Sequence, residues 1–190
     1  MAAEPAFVLL ITGPAGAGKS AAARAWAERQ ARPTAHIQLD VVREFVISGY
    51  ADPRDGWTPE SERQLGIARA NCAEMARRYV AAGFNCVIDD AVFPLWDAAG
   101  YEGWQAALGE TPHVVVVLLP TYEVIARRNA NRHGRRLLDP AMLRTIYNMM
   151  ALWRRQQRFP VIDNSAQTVA ETVRAIEHAI GRMRRAGNSG

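Results

Sequence analysis

Of the 23 basic side chains in the chain, Lys19 is the only lysine, and it lies in the stretch GPAGAGKS, Gly13 to Ser20. Gly13 and Gly18 flank four residues and are followed by Lys19 and Ser20, the spacing G-x-x-x-x-G-K-[ST]. Small residues are needed where a backbone wraps a phosphate, because a Cβ would block some of the N–H groups. A helix starting near Lys19 adds its positive end. A compact, flexible ammonium can follow the β- and γ-phosphates, whereas a guanidinium is larger and directional. The hydroxyl of Ser20 suits Mg²⁺. The other reading is a glycine-rich turn that merely shares the pattern, but a buried strand before it and a helix after it favour the phosphate site. Gly13, Pro14, Ala15, Gly16, Ala17, Gly18, Lys19, Ser20 and Ala21 are therefore the expected contacts of a nucleoside triphosphate.

Nucleotide binding alone does not separate a kinase from a GTPase, a motor or a switch. Three further stretches bear on the choice. In LDVVREF, Asp40 ends a strand and Arg43 follows three residues on, which in a helix places both on one face. The carboxylate could take a proton from an acceptor hydroxyl, and the arginine could hold an acceptor anion or the transferred phosphoryl group. An N-cap aspartate beside a surface arginine is the other reading. The position beyond a strand's carboxyl end, where open α/β sheets bind ligands, favours function.

In CVIDDAVF an apolar strand ends in Asp89, well placed for Mg²⁺, with Asp90 expected to turn toward the acceptor or into a turn. A solvated turn is the alternative. In ARRNANRHGRRLLD, Arg127, Arg128, Arg132, Arg135 and Arg136 cluster after the fourth strand, and Arg128 and Arg132 share a helix face at a spacing of four. A solvated face covers Arg127. His133 and Gly134 break the helix, so the segment reads as a small lid, about 128–139, carrying guanidiniums onto the triphosphate.

The elements that must position these groups are legible as short apolar runs: 6–12, 34–40, 84–90, 113–120 and 161–163. Between them lie helix-favouring stretches, one capped by Thr58 with Pro59 at its first position and closing on Gly83. The last opens with a Thr168/Glu171 capping box and ends at the basic run 182–185. Alternation of strand and helix gives an α/β domain with a mostly parallel sheet. The expected organisation is one domain over 1–185 and a disordered tail at 186–190.

GPAGAGKS, LDVVREF, VIDDAVF, EVIARRNANR and VIDNSAQTVAETV together resemble the P-loop kinase group of chloramphenicol phosphotransferase, zeta toxin and polynucleotide 5′-kinases, over roughly 7–180. The resemblance implies a P-loop NTPase fold with a five-stranded parallel sheet in the order 2-3-1-4-5, flanked by helices. It implies Asp40 as catalytic base, Arg43 as acceptor-binding arginine, and Lys19, Arg128 and Arg132 as further catalytic groups, with Arg136 as a possible extra. Ser20 and Asp89 would serve Mg²⁺, and Asp163, Asn164 and Ser165 would line adenine, mainly through backbone groups. ATP as the nucleotide rests on the resemblance alone.

The segments 48–57 and 91–109 match no one member, so acceptor identity does not carry over. They hold Trp57, Phe93, Trp96, Tyr101 and Trp104, suited to stacking on an acceptor or, per residue more often, to core; Trp26 and Trp153 read as core. The net charge of +4 suggests an anionic partner. Acids at Asp52, Asp55, Asp97 and Glu102 would repel a polyanion, which weighs against a nucleic-acid groove. The four histidines are scattered singly, and Cys72 and Cys86 read as buried thiols without metal spacing. With no membrane-length or signal stretch, a reducing cytoplasm is the expected compartment. The reading is an ATP-dependent phosphotransferase acting on a small-molecule hydroxyl, with a 5′-hydroxyl polynucleotide kinase and a non-catalytic nucleotide-binding module as alternatives. Oligomeric state has no signature.

Overall fold

Val8 and Leu10 pack into one apolar cluster and Leu9 and Ile11 into another, so β1 (Val8–Thr12) has no polar face and belongs inside. The computed structural model describes residues 5–134 and 137–187. Four strands lie parallel with β1: β2 (Thr34–Gln38), β3 (Asn85–Asp90), β4 (His113–Leu118) and β5 (Val161–Ile162). Their order is β2-β3-β1-β4-β5, as the resemblance implied. Parallel neighbours require crossovers, and the intervening helices supply them.

On one face α1 (Lys19–Arg29) and α8 (Val169–Gly187) cover Leu9, Ile11, Val87 and Leu118. On the other, α3 (Pro59–Ala81) and α4 (Tyr101–Leu108) cover Val8, Leu10, Ile88 and Val117. Trp26 and Trp153 are core, as expected, at 1% and 3% exposure; burying a large apolar side chain contributes about 1.5–3 kcal/mol. The remaining helices are α2 (Leu39–Arg43), α5 (Tyr122–Ala130), α6 (Pro140–Ala151) and α7 (Trp153–Gln156). Cys72 and Cys86 are buried and unpaired, and desolvation pushes both thiols up to about 12. No helix among the described residues is long and apolar enough to cross a membrane.

Several local readings hold in detail. Thr58 accepts from Ser61 N while Ser61 Oγ accepts from Thr58 N, closing a capping box ahead of Pro59. Thr168 and Glu171 form the second box at the start of α8.

Three readings are corrected. β2 ends at Gln38, because Leu39 already opens α2, so Asp40 stands in a helical turn rather than on a strand. α5 stops at Ala130, ahead of His133 and Gly134, so Arg132 lies in the turn beyond the helix that carries Arg128. Asn129 explains this early stop: its buried amide donates to Leu138 O and accepts from Leu138 N, pinning the segment's return against the helix end. Arg135 and Arg136 lie outside the described residues. Of the tail expected at 186–190, residues 186 and 187 continue α8 and 188–190 lie outside the described residues.

Candidate active site

The strands end on one side of the sheet, and the loops leaving those ends converge, as open α/β sheets require. The turn after β1 depends on glycine at its first position. Gly13 has φ +148°, and a Cβ there would lie 2.1 Å from Leu118 O. Gly18, at φ 90°, is the N-cap of α1 and brings no side-chain cap. The first amides of α1 are thus left for a ligand, at the helix's positive end.

Lys19 Nζ curls back to donate to Gly13 O at 2.9 Å and Pro14 O at 3.3 Å. No carboxylate pairs with it among the described residues. Desolvation lowers its pKa, Asp89, Asp40 and Asp90 oppose that, and Arg132 adds to the lowering. An ammonium held by carbonyls alone has no counter-anion among the described residues, and the loop around it fits a phosphate.

Asp89 meets the end of this loop at Ser20. Ser20 Oγ donates to its Oδ1 at 2.9 Å, and His36 Nε2 donates to its Oδ2 at 2.7 Å. One hydroxyl and one carboxylate are hard oxygen donors, which fits Mg²⁺ drawing its other ligands from phosphate and water. Among the described residues no three His, Cys, Asp or Glu side chains cluster into an all-protein cage.

Asp90 corrects the expectation made for it. It faces neither acceptor nor turn but enters the core, where Arg69 Nη2 lies 3.0 Å and Trp104 Nε1 2.7 Å from its Oδ2. Arg69 also donates to the carbonyls of Ala99 and Gly100, tying α3 to the start of α4.

Asp40 and Arg43 are brought together with unequal exposure. Asp40 is exposed, and no side chain hydrogen-bonds its carboxylate among the described residues. The surrounding protein nonetheless raises its pKa, desolvation being the largest cause, with Lys19 and then Arg43 pulling the other way. Arg43 is buried, and its Nε and one Nη have no hydrogen-bond partner among the described residues. Its guanidinium lies 5.9 Å from the Tyr50 ring centre.

Arg128 Nη1 donates to Gly16 O at 3.2 Å and Ala17 O at 3.3 Å, and Asn164 Nδ2 donates to Ala17 O at 2.9 Å. Burial lowers the pKa of Arg128, with Arg127 contributing. Ser165 Oγ accepts from Thr121 N, and Asp163 accepts from Ser165 N. The side chains of 164 and 165 thus tie loops together. Arg127 is exposed, as a solvated face requires.

The two unmatched segments meet through aromatic rings: Trp57 packs edge-on to Trp96 at 4.5 Å, and Phe93 to Trp96 at 5.2 Å. All three are partly buried and form a wall beside the core. Tyr101 and Trp104 are core instead. Sequence reasoning missed His36, Arg69 and Asn129. His36 looked isolated because only the pairing of β2 with β3 brings it to Asp89.

The sheet order, the glycine loop and the lysine together define a P-loop kinase fold. A family model described as AAA domain matches residues 8–155, and the chain belongs to that family. Among solved structures it is similar to an unliganded sugar kinase from Janibacter sp. HTCC2649 (17% identity, TM-score 0.66, 93% of this chain and 95% of that one). It is also similar to thymidylate kinase from Candida albicans (12% identity, TM-score 0.69, 96% and 94%). A third is shikimate kinase from Acinetobacter baumannii in complex with shikimate (18% identity, TM-score 0.62, 92% and 93%). At such identities the likeness is one of fold. No curated protein matches the sequence.

Proposed function

We propose that this protein is an ATP-dependent phosphotransferase that moves the γ-phosphate of Mg·ATP to a hydroxyl of a small-molecule acceptor. The observation that carries the reading is Asp40: an exposed carboxylate beyond β2, with no side-chain hydrogen bond among the described residues, within electrostatic reach of Lys19 and Arg43, and with a raised pKa. A switch or a passive nucleotide holder has no use for a base in that position.

In the proposed reaction the acceptor oxygen attacks the γ-phosphorus, the bond to the β,γ-bridging oxygen breaks, and ADP leaves. The hydroxyl proton passes to Asp40. The amides of 13–21 and the Lys19 ammonium hold the phosphates, while Arg128 and Arg132 supply positive charge from the lid side. Residues 163–165 line adenine. Mg²⁺, held by Ser20 and served by Asp89, neutralises phosphate charge when bound. Arg43 holds an anionic group of the acceptor, which would supply the partners its buried nitrogens lack.

The motif set supports placing the chain in the P-loop kinase group of chloramphenicol phosphotransferase, zeta toxin and polynucleotide 5′-kinases, and the proposed enzyme is single-domain and cytoplasmic. Labelled ATP with a panel of alcohol metabolites, nucleosides, antibiotics and an oligonucleotide with a free 5′-hydroxyl tests the reading. Transfer to a small molecule supports it. Transfer only to the oligonucleotide replaces the acceptor class, and no transfer beyond slow hydrolysis overturns it.

A further inference from the structure

Asp89 is held from two sides. Ser20 takes one carboxylate oxygen and His36 the other, at 2.9 and 2.7 Å. The sheet itself dictates the second contact. Gln38 of β2 is the register partner of Asp89 in β3, so the two side chains leave the sheet on one face. His36 lies two residues before Gln38, returning to that face about 6.6 Å back along the strand. An imidazole is long enough to lean across that offset; a shorter polar side chain is not.

We propose that His36 is a positioning residue for metal-assisted nucleotide binding. By donating from Nε2 to Oδ2 it fixes the rotation of the Asp89 carboxylate, so that Oδ1 stays turned toward Ser20. The proposal rests on the reading above that Ser20 and Asp89 serve Mg²⁺. Its basis is geometric. The Asp89 and His36 side chains are only 8% and 14% exposed, so bulk water is a poor substitute for the lost donor. Without His36 the carboxylate would keep one tether, and Oδ2 would be a nearly enclosed anionic oxygen with nothing to satisfy it. Partners of this outer kind change metal affinity by about 10- to 100-fold when removed. His36 does not touch the phosphates in this account; it acts through Asp89.

Calorimetric titration with ADP, with and without Mg²⁺, separates this from a merely structural role. The wild type should bind ADP more tightly with the metal. His36→Phe should lose about tenfold of that gain while its metal-free ADP affinity stays unchanged. His36→Gln, whose amide N–H falls near the place of Nε2, should retain most of it. In an Asp89→Asn background, His36→Gln or His36→Phe should remove nothing further from the metal-dependent gain.

The inference is overturned if His36→Phe keeps the wild-type metal dependence. Equal loss of affinity with and without Mg²⁺ overturns it too, as does a Gln variant no better than Phe. Should His36→Phe fail to fold, His36→Leu, which also lacks a donor, takes its place in the two backgrounds: a loss of equal size in both sinks the assignment. A wild-type protein whose ADP affinity ignores Mg²⁺ overturns the metal reading itself, a failure that is visible before any variant is made.

Discussion

Asp89 and Asp90 are adjacent at the end of β3, yet their carboxylates enter separate environments. Asp89 meets Ser20 and His36 beside the glycine loop, and Asp90 meets Arg69 and Trp104 within the core. Alternation along a strand sends consecutive side chains to opposite faces, and here it separates a carboxylate available to the nucleotide site from one that holds the scaffold.

The Arg69–Asp90 pair is buried on both sides, at 3% and 5% side-chain exposure. Removing one partner strands the other charge in the core, so Arg69→Met should destabilise the protein by about 3–5 kcal/mol. The double variant Arg69→Met/Asp90→Leu should recover a large part of that loss. Urea unfolding of the single and double variants measures both, and additive losses would contradict a coupled pair.

Ser20→Ala removes the hydroxyl but leaves Asp89 hydrogen-bonded to His36. Ser20 is exposed, so the thermal midpoint should barely move. The apparent Mg²⁺ requirement of phosphoryl transfer should rise by about tenfold or more, read from activity against metal concentration at fixed ATP.

Asp40→Asn should reduce transfer by about 10²- to 10⁴-fold, the range for loss of a positioned base, while ADP binding persists. It should also raise the melting temperature of the ligand-free protein. The raised pKa means that the folded state holds the Asp40 proton more tightly than the unfolded chain does. This group's contribution to stability therefore falls as pH rises through the raised pKa, and at neutral pH its charge opposes folding. Conversely, kcat/KM should decline on acidification at a higher pH than an ordinary carboxylate would impose. Scanning calorimetry and a pH–rate profile of wild type against the variant test the two directions.

The glycine loop and the strands were legible because each rests on local patterns: Gly13 and Gly18 spaced around small residues, and continuous apolar runs such as 113–120, with caps such as Thr58 and Thr168 marking helix starts; the sheet order came from the resemblance, and the end of β2 was placed two residues too late. Asp89 was legible for the same reason, being the acid at the end of an apolar run. His36, Arg69 and Asn129 were not. His36 needs the register of β2 on β3, Arg69 needs the packing of α3 over β3, and Asn129 needs the chain to return at Leu138. None of these relations has a signature in spacing. The fate of Asp90 followed Arg69, for a carboxylate's role depends on which cation reaches it. Arg132 shows a third limit: its four-residue distance from Arg128 suggested one helix face, but α5 ends between them. Its charge still reaches Lys19 from the turn.

Arg43 offers the clearest test of what the acceptor carries. The residue is 7% exposed, and two guanidinium nitrogens lack hydrogen-bond partners among the described residues, an arrangement that opposes folding unless something offsets it elsewhere. If an anionic group of the acceptor satisfies those nitrogens, Arg43→Leu should raise the acceptor KM by about 10²-fold while the KM for ATP stays within about twofold, since the nucleotide contacts proposed above do not include Arg43. The same variant should be as stable as wild type or more so without ligand, because a buried unsatisfied cation has been replaced by an apolar side chain. Arg43→Lys should recover little, for an ammonium cannot reproduce the planar fork. Steady-state kinetics with each substrate varied in turn, together with urea unfolding, distinguish this from a role in the transferred phosphate. In that case kcat would fall and the acceptor KM would hold.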